Sequence, residues 1–70
     1  MRLTLADGTE PSEGMRVELV GHEELAANER TGRIVVLSDD PTVPDACKVL
    51  FDDGVEDVMS YRELRWRDEG

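Results

Sequence analysis

Asp53-Gly54, set between two runs of strand-forming residues, limits more than any other feature what this chain can fold into. Residues 47–58, Cys-Lys-Val-Leu-Phe-Asp-Asp-Gly-Val-Glu-Asp-Val, read as one β-hairpin. An Asp-Gly pair can take the two positive φ angles of a type I′ turn. With those two residues as the turn, Asp52 faces Val55, Phe51 faces Glu56 and Val49 faces Val58. Opposed residues point the same way, so Cys47, Val49, Phe51 and Val58 form a dry face, with Lys48, Asp52 and Asp57 on the wet one.

The remaining segments supply partners for that hairpin. Residues 15–20 alternate Met15, Val17 and Leu19 with Arg16 and Glu18, a period of two that marks a half-buried strand. Residues 22–30 are polar and Ala-rich, too short for a stable isolated helix, and predict a long loop with one helical turn pinned by Leu25. Residues 31–37 form a β-branched run with cover expected on both faces, and Gly32 marks a bend or a close backbone approach. Residues 38–45 carry Asp39-Asp40-Pro41 and Val43-Pro44 and read as a surface loop. Ser60, with Glu63 three residues on, has the capping-box pattern of a single helical turn, and Arg65-Trp66-Arg67 follows as a last short strand. Leu3 and Leu5 fit either a short extra strand or a loose terminus.

The fold expected is all-β: a small, strongly bent antiparallel barrel of about five strands with a helical turn before the last. Residues 14–67 make the barrel, residues 1–13 an N-terminal segment and residues 68–70 a fraying end. The predicted core is Val17, Leu19, Ile34, Val36, Val49, Phe51, Val58 and Leu64. In 70 residues that core is thin.

Charge narrows the partners. Seventeen acidic residues stand against eight basic ones, a net charge of −9. Such a surface repels phosphate backbones and anionic membranes and suits a basic peptide or protein surface, although solubility alone also accounts for it. No apolar run approaches the roughly 20 residues of a membrane span, no secretory h-region is visible, and Cys47 is the only cysteine, so the expected setting is intracellular.

The segments 14–18 (Gly-Met-Arg-Val-Glu), 32–35 (Gly-Arg-Ile-Val), 49–54 (Val-Leu-Phe-Asp-Asp-Gly) and 61–65 (Tyr-Arg-Glu-Leu-Arg) together resemble a Tudor-like, SH3-like barrel module. The order and spacing are also similar to KOW-type barrels and to small barrels with an L-x-x-N-x-x-x-G pattern, here Leu25, Asn28 and Gly32. The Tudor resemblance implies an aromatic cage for methylated lysine or arginine, working by cation–π attraction. Phe51 falls at a position that contributes a cage ring in that family, but no aromatic precedes it, and the first loop offers only His22.

Catalytic and metal chemistry find little to work with. His22 and Cys47 are single and placed on different kinds of element, the pairs Asp39-Asp40 and Asp52-Asp53 lack the spacing of a calcium loop, and no phosphate loop or zinc spacing occurs. The expectation is therefore no enzyme activity and no cofactor. Residues 61–67 stand out, with Tyr61, Trp66, Arg62, Arg65 and Arg67 concentrated in an acidic chain. Those residue types are enriched in interface hot spots, while the structural alternative has Trp66 closing the barrel and the arginines paired to Glu56, Asp57 or Glu63. The function expected is a non-catalytic interaction module for a basic peptide or protein. Its candidate ligand-binding residues are Phe51, Tyr61, Trp66, His22, Asp52, Asp53, Arg62 and Arg65, and further acidic loop residues are Glu23, Glu24, Asp39 and Asp40. The alternatives are a degenerate methyl-lysine or methyl-arginine reader, and an RNA- or ribosome-associated barrel using Arg30, Arg33, Arg62, Arg65 and Arg67.

Overall fold

A computed structural model describes residues 3–37 and 45–68. Residues 38–44 of the expected loop over 38–45, with Asp39-Asp40, lie outside the described residues, as do positions 1–2 and 69–70. The chain is all-β. Its five strands are β1 (Arg16–Leu19), β2 (Thr31–Leu37), β3 (Ala46–Phe51), β4 (Glu56–Ser60) and β5 (Leu64–Trp66). A helical turn, α1 (Ala27–Arg30), precedes β2, and a 3-10 turn (Tyr61–Glu63) precedes β5. Every pairing is antiparallel, in the order β4-β3-β2-β1-β5.

That order places β4 and β5 on opposite edges of the sheet, yet only the 3-10 turn joins them. In a flat sheet, strands about 4.8 Å apart would put edges four gaps apart roughly 19 Å from each other. The four peptide links from Ser60 to Leu64 reach about 14 Å at full stretch, and a 3-10 turn rises only about 2 Å per residue. The sheet therefore curls, barrel-like, although β4 and β5 are not hydrogen-bonded to each other. The turn is held by the capping box the sequence predicts, with the Ser60 side chain accepting from the Arg62 amide and the Glu63 carboxylate accepting from the Ser60 amide.

Curling encloses Val17, Leu19, Ile34, Cys47, Val49, Phe51 and Leu64, as the alternation predicts, together with Leu5 and Tyr61. Leu5 arrives on a turn over residues 5–9 rather than on a strand. At Gly32 the expected close approach is real. A Cβ built there would lie 2.4 Å from the Leu50 carbonyl oxygen and 2.8 Å from the Phe51 Cα.

Two predicted core residues lie outside. Val36 is 47% exposed and Val58 60% exposed. Both follow from register. The hairpin loop has three residues, not two: the Gly54 amide donates to the Phe51 carbonyl and the Phe51 amide to the Val55 carbonyl. Gly54 has φ 92°, and no described non-glycine residue has a positive φ, so Asp53 does not take the conformation a type I′ turn requires. The extra loop residue puts Asp57 opposite Val49 and Val58 opposite Lys48. A slip of one turns every β4 side chain to the other face, so Val58 goes out and Met59, opposite Cys47, packs against the core. In β2 a bulge between Ile34 and Val36 does the same, setting Val36 opposite Lys48.

These placements separate two valines from one phenylalanine. Phe51→Ala removes buried bulk worth about 3–5 kcal/mol, close to the roughly 5 kcal/mol total of a marginal small domain. It is expected to unfold the chain by circular dichroism, whereas Val58→Ala changes urea stability by no more than about 0.5 kcal/mol. Gly32→Ala pushes β2 from β3 against backbone atoms that cannot yield locally, and its expected cost is about 1–3 kcal/mol by the same urea titration.

Candidate functional site

Surface chemistry divides the sheet into two regions. The first is the outer face of β5, β1 and β2. Val17 and Leu19 point inward on β1, so Arg16 and Glu18 point outward, beside Arg33 and Thr31 on β2 and Arg65 on β5. Glu18 is only 6% exposed. It accepts from Arg65 Nε at 2.9 Å and Nη2 at 2.6 Å on Oε2. On Oε1 it accepts from Arg30 Nε at 3.2 Å and Arg67 Nη1 at 3.4 Å. The Arg30 guanidinium continues to the carbonyls of Leu25 and Glu23, so one carboxylate ties the first loop to both strands beside β1.

The arginine partners expected for residues 62–67 were Glu56, Asp57 or Glu63. For Arg65 and Arg67 the partner is Glu18 instead, a strand residue whose alternation marks it as solvent-facing. Arg65 lies directly opposite Glu18 in the ladder, a relation that only strand pairing creates. The hydrogen bonds from Arg65 hold the Glu18 carboxyl below its ordinary value against the opposing effect of burial, with Arg30 and Arg67 adding to the shift. Asp52, a candidate ligand residue, is likewise occupied. Arg16 Nη1 and Nη2 bind its two oxygens at 2.8 and 3.0 Å, and Thr31 Oγ1 lies 2.5 Å from Oδ2. Arg16 first, then Thr31, lowers its pKa.

The second region is the outer face of β2, β3 and β4. Val36, Lys48 and Val58 form one row across the three strands, and Arg33, Leu50 and Glu56 form the next. Val36, Leu50 and Val58 are exposed, as is Val55 at the hairpin tip. Lys48 reaches Glu56 at 3.6 Å. Asp53, with Oδ1 accepting from the Val55 amide, stands exposed at the hairpin tip beside these aliphatic side chains, while the exposed Asp57, opposite Val49, points to the other face of β4.

The aromatic candidates do not converge on an open surface. Phe51 and Tyr61 are buried in the core, while Trp66 is 49% exposed on β5. His22 lies exposed in the first loop, 3.5 Å from Glu24. Tyr61 and the exposed Arg62 border a cleft of about 300 Å³ lined also by residues 3–6 and Asp45. Glu23 and Glu24 are exposed, while Asp39 and Asp40 fall outside the described residues.

Burial pushes the Cys47 thiol up to about 11, so it packs as a protonated hydrophobe. Among the described residues no three His, Cys, Asp or Glu side chains gather as a metal site, and no helix is long and apolar enough to cross a membrane. No protein-family model matches the chain, and no curated protein or solved structure matches it.

A depressed carboxyl stabilises the fold above its unfolded pKa and loses that contribution as pH falls through the folded one. For Glu18 the loss begins near its ordinary value of 4.5, and for Asp52 near 3.8. Glu18→Gln leaves three guanidinium groups around a neutral amide. It is expected to lower Tm at neutral pH and to flatten the decline of Tm under acid, as read by thermal melts from about pH 7 to about pH 3.

Proposed function

We propose that this chain is a non-catalytic protein-interaction module for a basic peptide or protein segment, built on an SH3-like, Tudor-like barrel. The five-stranded curled sheet is compatible with that family reading. The observation that carries the functional reading is the separation of charge. Arg16, Arg30, Arg65 and Arg67 are drawn to Glu18 and Asp52 on the β5–β1–β2 face. The excess of acid in a chain of net charge −9 therefore falls on the rest of the surface. There Asp53 and Glu56 border Val36, Leu50, Val55 and Val58, with Lys48 among them and 3.6 Å from Glu56. An aliphatic patch with an acidic rim suits a partner that brings both apolar and basic side chains.

Less supports the methyl-mark reader, because Phe51 and Tyr61 use their ring surfaces in the core. The RNA reading draws on a specific observation, since Arg30, Arg33, Arg65 and Arg67 share one face. Three of these arginines already bind Glu18, and the net charge opposes a phosphate backbone.

Calorimetric titration with a lysine- and valine-containing peptide, its glutamate counterpart and a short RNA tests the assignment. The expected result is binding of the basic peptide alone, weakening with salt and weakened roughly tenfold by the double variant Asp53→Lys/Glu56→Lys. RNA binding at near-physiological salt would overturn it. A clear preference for a methylated over an unmodified lysine peptide would favour the reader instead.

A further inference from the structure

We infer that β4 is the docking edge, and that the basic segment adds to the sheet there as a further strand. The inference rests on the basic-partner reading and gives it a binding mode.

The two sheet edges are finished differently. On β5, the Ala6 amide donates to the Leu64 carbonyl at 2.8 Å, and the Trp66 amide donates to Asp7 Oδ2 at 3.1 Å. The N-terminal segment thus covers that edge. Along β4, no main-chain group of the described residues pairs with the outer side. Hydrogen-bonded pairs alternate along an antiparallel ladder, and Phe51–Val55 is such a pair, so Asp57 and Met59 bond inward to β3. Glu56, Val58 and Ser60 then direct their main-chain groups outward. The Val58 amide donates to Oδ1 of Asp57 at 2.8 Å and the Ser60 amide to Oε2 of Glu63 at 3.4 Å. Two carboxylates stand where a neighbouring strand would place carbonyls.

Those side chains keep the edge hydrogen-bonded in isolation, and rotation about their own bonds uncovers it. A carbonyl of an incoming strand can replace Asp57 on the Val58 amide, while the outward Glu56 and Val58 carbonyls accept its N–H groups. The displaced Asp57 carboxylate then needs a cation. Successive residues of β4 alternate in face, with Val58 beside Val36 on the outer side and Asp57 on the other. The matching strand alternates aliphatic and basic residues. A second copy of this chain fits less well, because its β4 carries Glu56 and Asp57 and no basic residue to meet the displaced carboxylate.

The test uses a short alternating Lys-Val peptide titrated into the isotopically labelled full chain. Slowed amide exchange at Glu56, Val58 and Ser60 is expected. Val58→Pro deletes an outward N–H without removing a bond to β3, and edge positions tolerate proline. It is expected to stay folded and bind roughly tenfold or more weakly. A peptide N-methylated at alternate residues should lose binding to the unaltered protein, which keeps the test decisive should Val58→Pro not fold. Asp57→Asn is expected to weaken binding and its salt dependence. Binding that ignores both Val58→Pro and N-methylation would sink the edge mode while leaving the basic-partner reading in place; failure of every basic peptide to bind would remove both. Concentration-dependent dimers protected at the same amides without peptide would replace the basic segment with a second copy.

Discussion

Three residues connect the outermost strands of this sheet, and most of the molecule follows from that short tether. With Ser60 and Leu64 bound so closely, β4 and β5 cannot lie at the ends of a flat ribbon. Curvature closes the sheet around Leu64, which pairs with Leu19 across β1 and β5, and lets a chain of 70 residues bury Ile34 and Val49 completely. It also demands close strand approach, which explains why the position facing Leu50 and Phe51 across β2–β3 carries no side chain. The capping box fixes the tether itself, and Tyr61 anchors it from inside.

Electrostatics then organise what the core leaves exposed. A carboxylate taken out of water is tolerated when paired and hydrogen-bonded, and Glu18 meets that condition with three guanidinium groups. Asp52 satisfies it with Arg16 and Thr31. These contacts cross from strand to strand and from strand to loop, so they hold β5, the first loop and the hairpin tip around β1 and β2. The same pairing concentrates positive charge on one face. A composition with about two acidic residues for each basic one becomes a molecule with two sides, and the second carries the exposed aliphatic residues together with Lys48, Asp53 and Glu56.

Side-chain carboxylates recur where main-chain donors lack a strand partner. Asp7 accepts from the Thr9 and Trp66 amides; burial pushes its pKa up, but these hydrogen bonds outweigh the effect and leave it lowered. Asp53 takes the Val55 amide, Asp57 the Val58 amide and Glu63 the Ser60 amide. In a sheet this small nearly every strand is at or next to an edge. Carboxylates on outward N–H groups limit unwanted pairing, and repulsion among them discourages contact between copies.

Local pattern determined the elements. The period of two in β1, the β-branched run of β2, the Asp-Gly punctuation after β3 and the Ser60–Glu63 cap are interactions within a few residues, and each element formed where those signals lie. Gly32 was legible for the same reason, since glycine inside a strand marks a place with no room for a side chain. Register was decided by the tertiary structure. One added loop residue at 52–54 and one bulge after Ile34 exchanged inside for outside at Val58 and Val36, because side chains on a strand alternate and a single step reverses them. Glu18 was hidden for a related reason: its arginines lie 12, 47 and 49 residues away, and only strand pairing brings them to it. The sequence by itself determined which segments extend and where they turn, whereas the pairing of those segments decided which face each residue occupies and which charges neutralise one another.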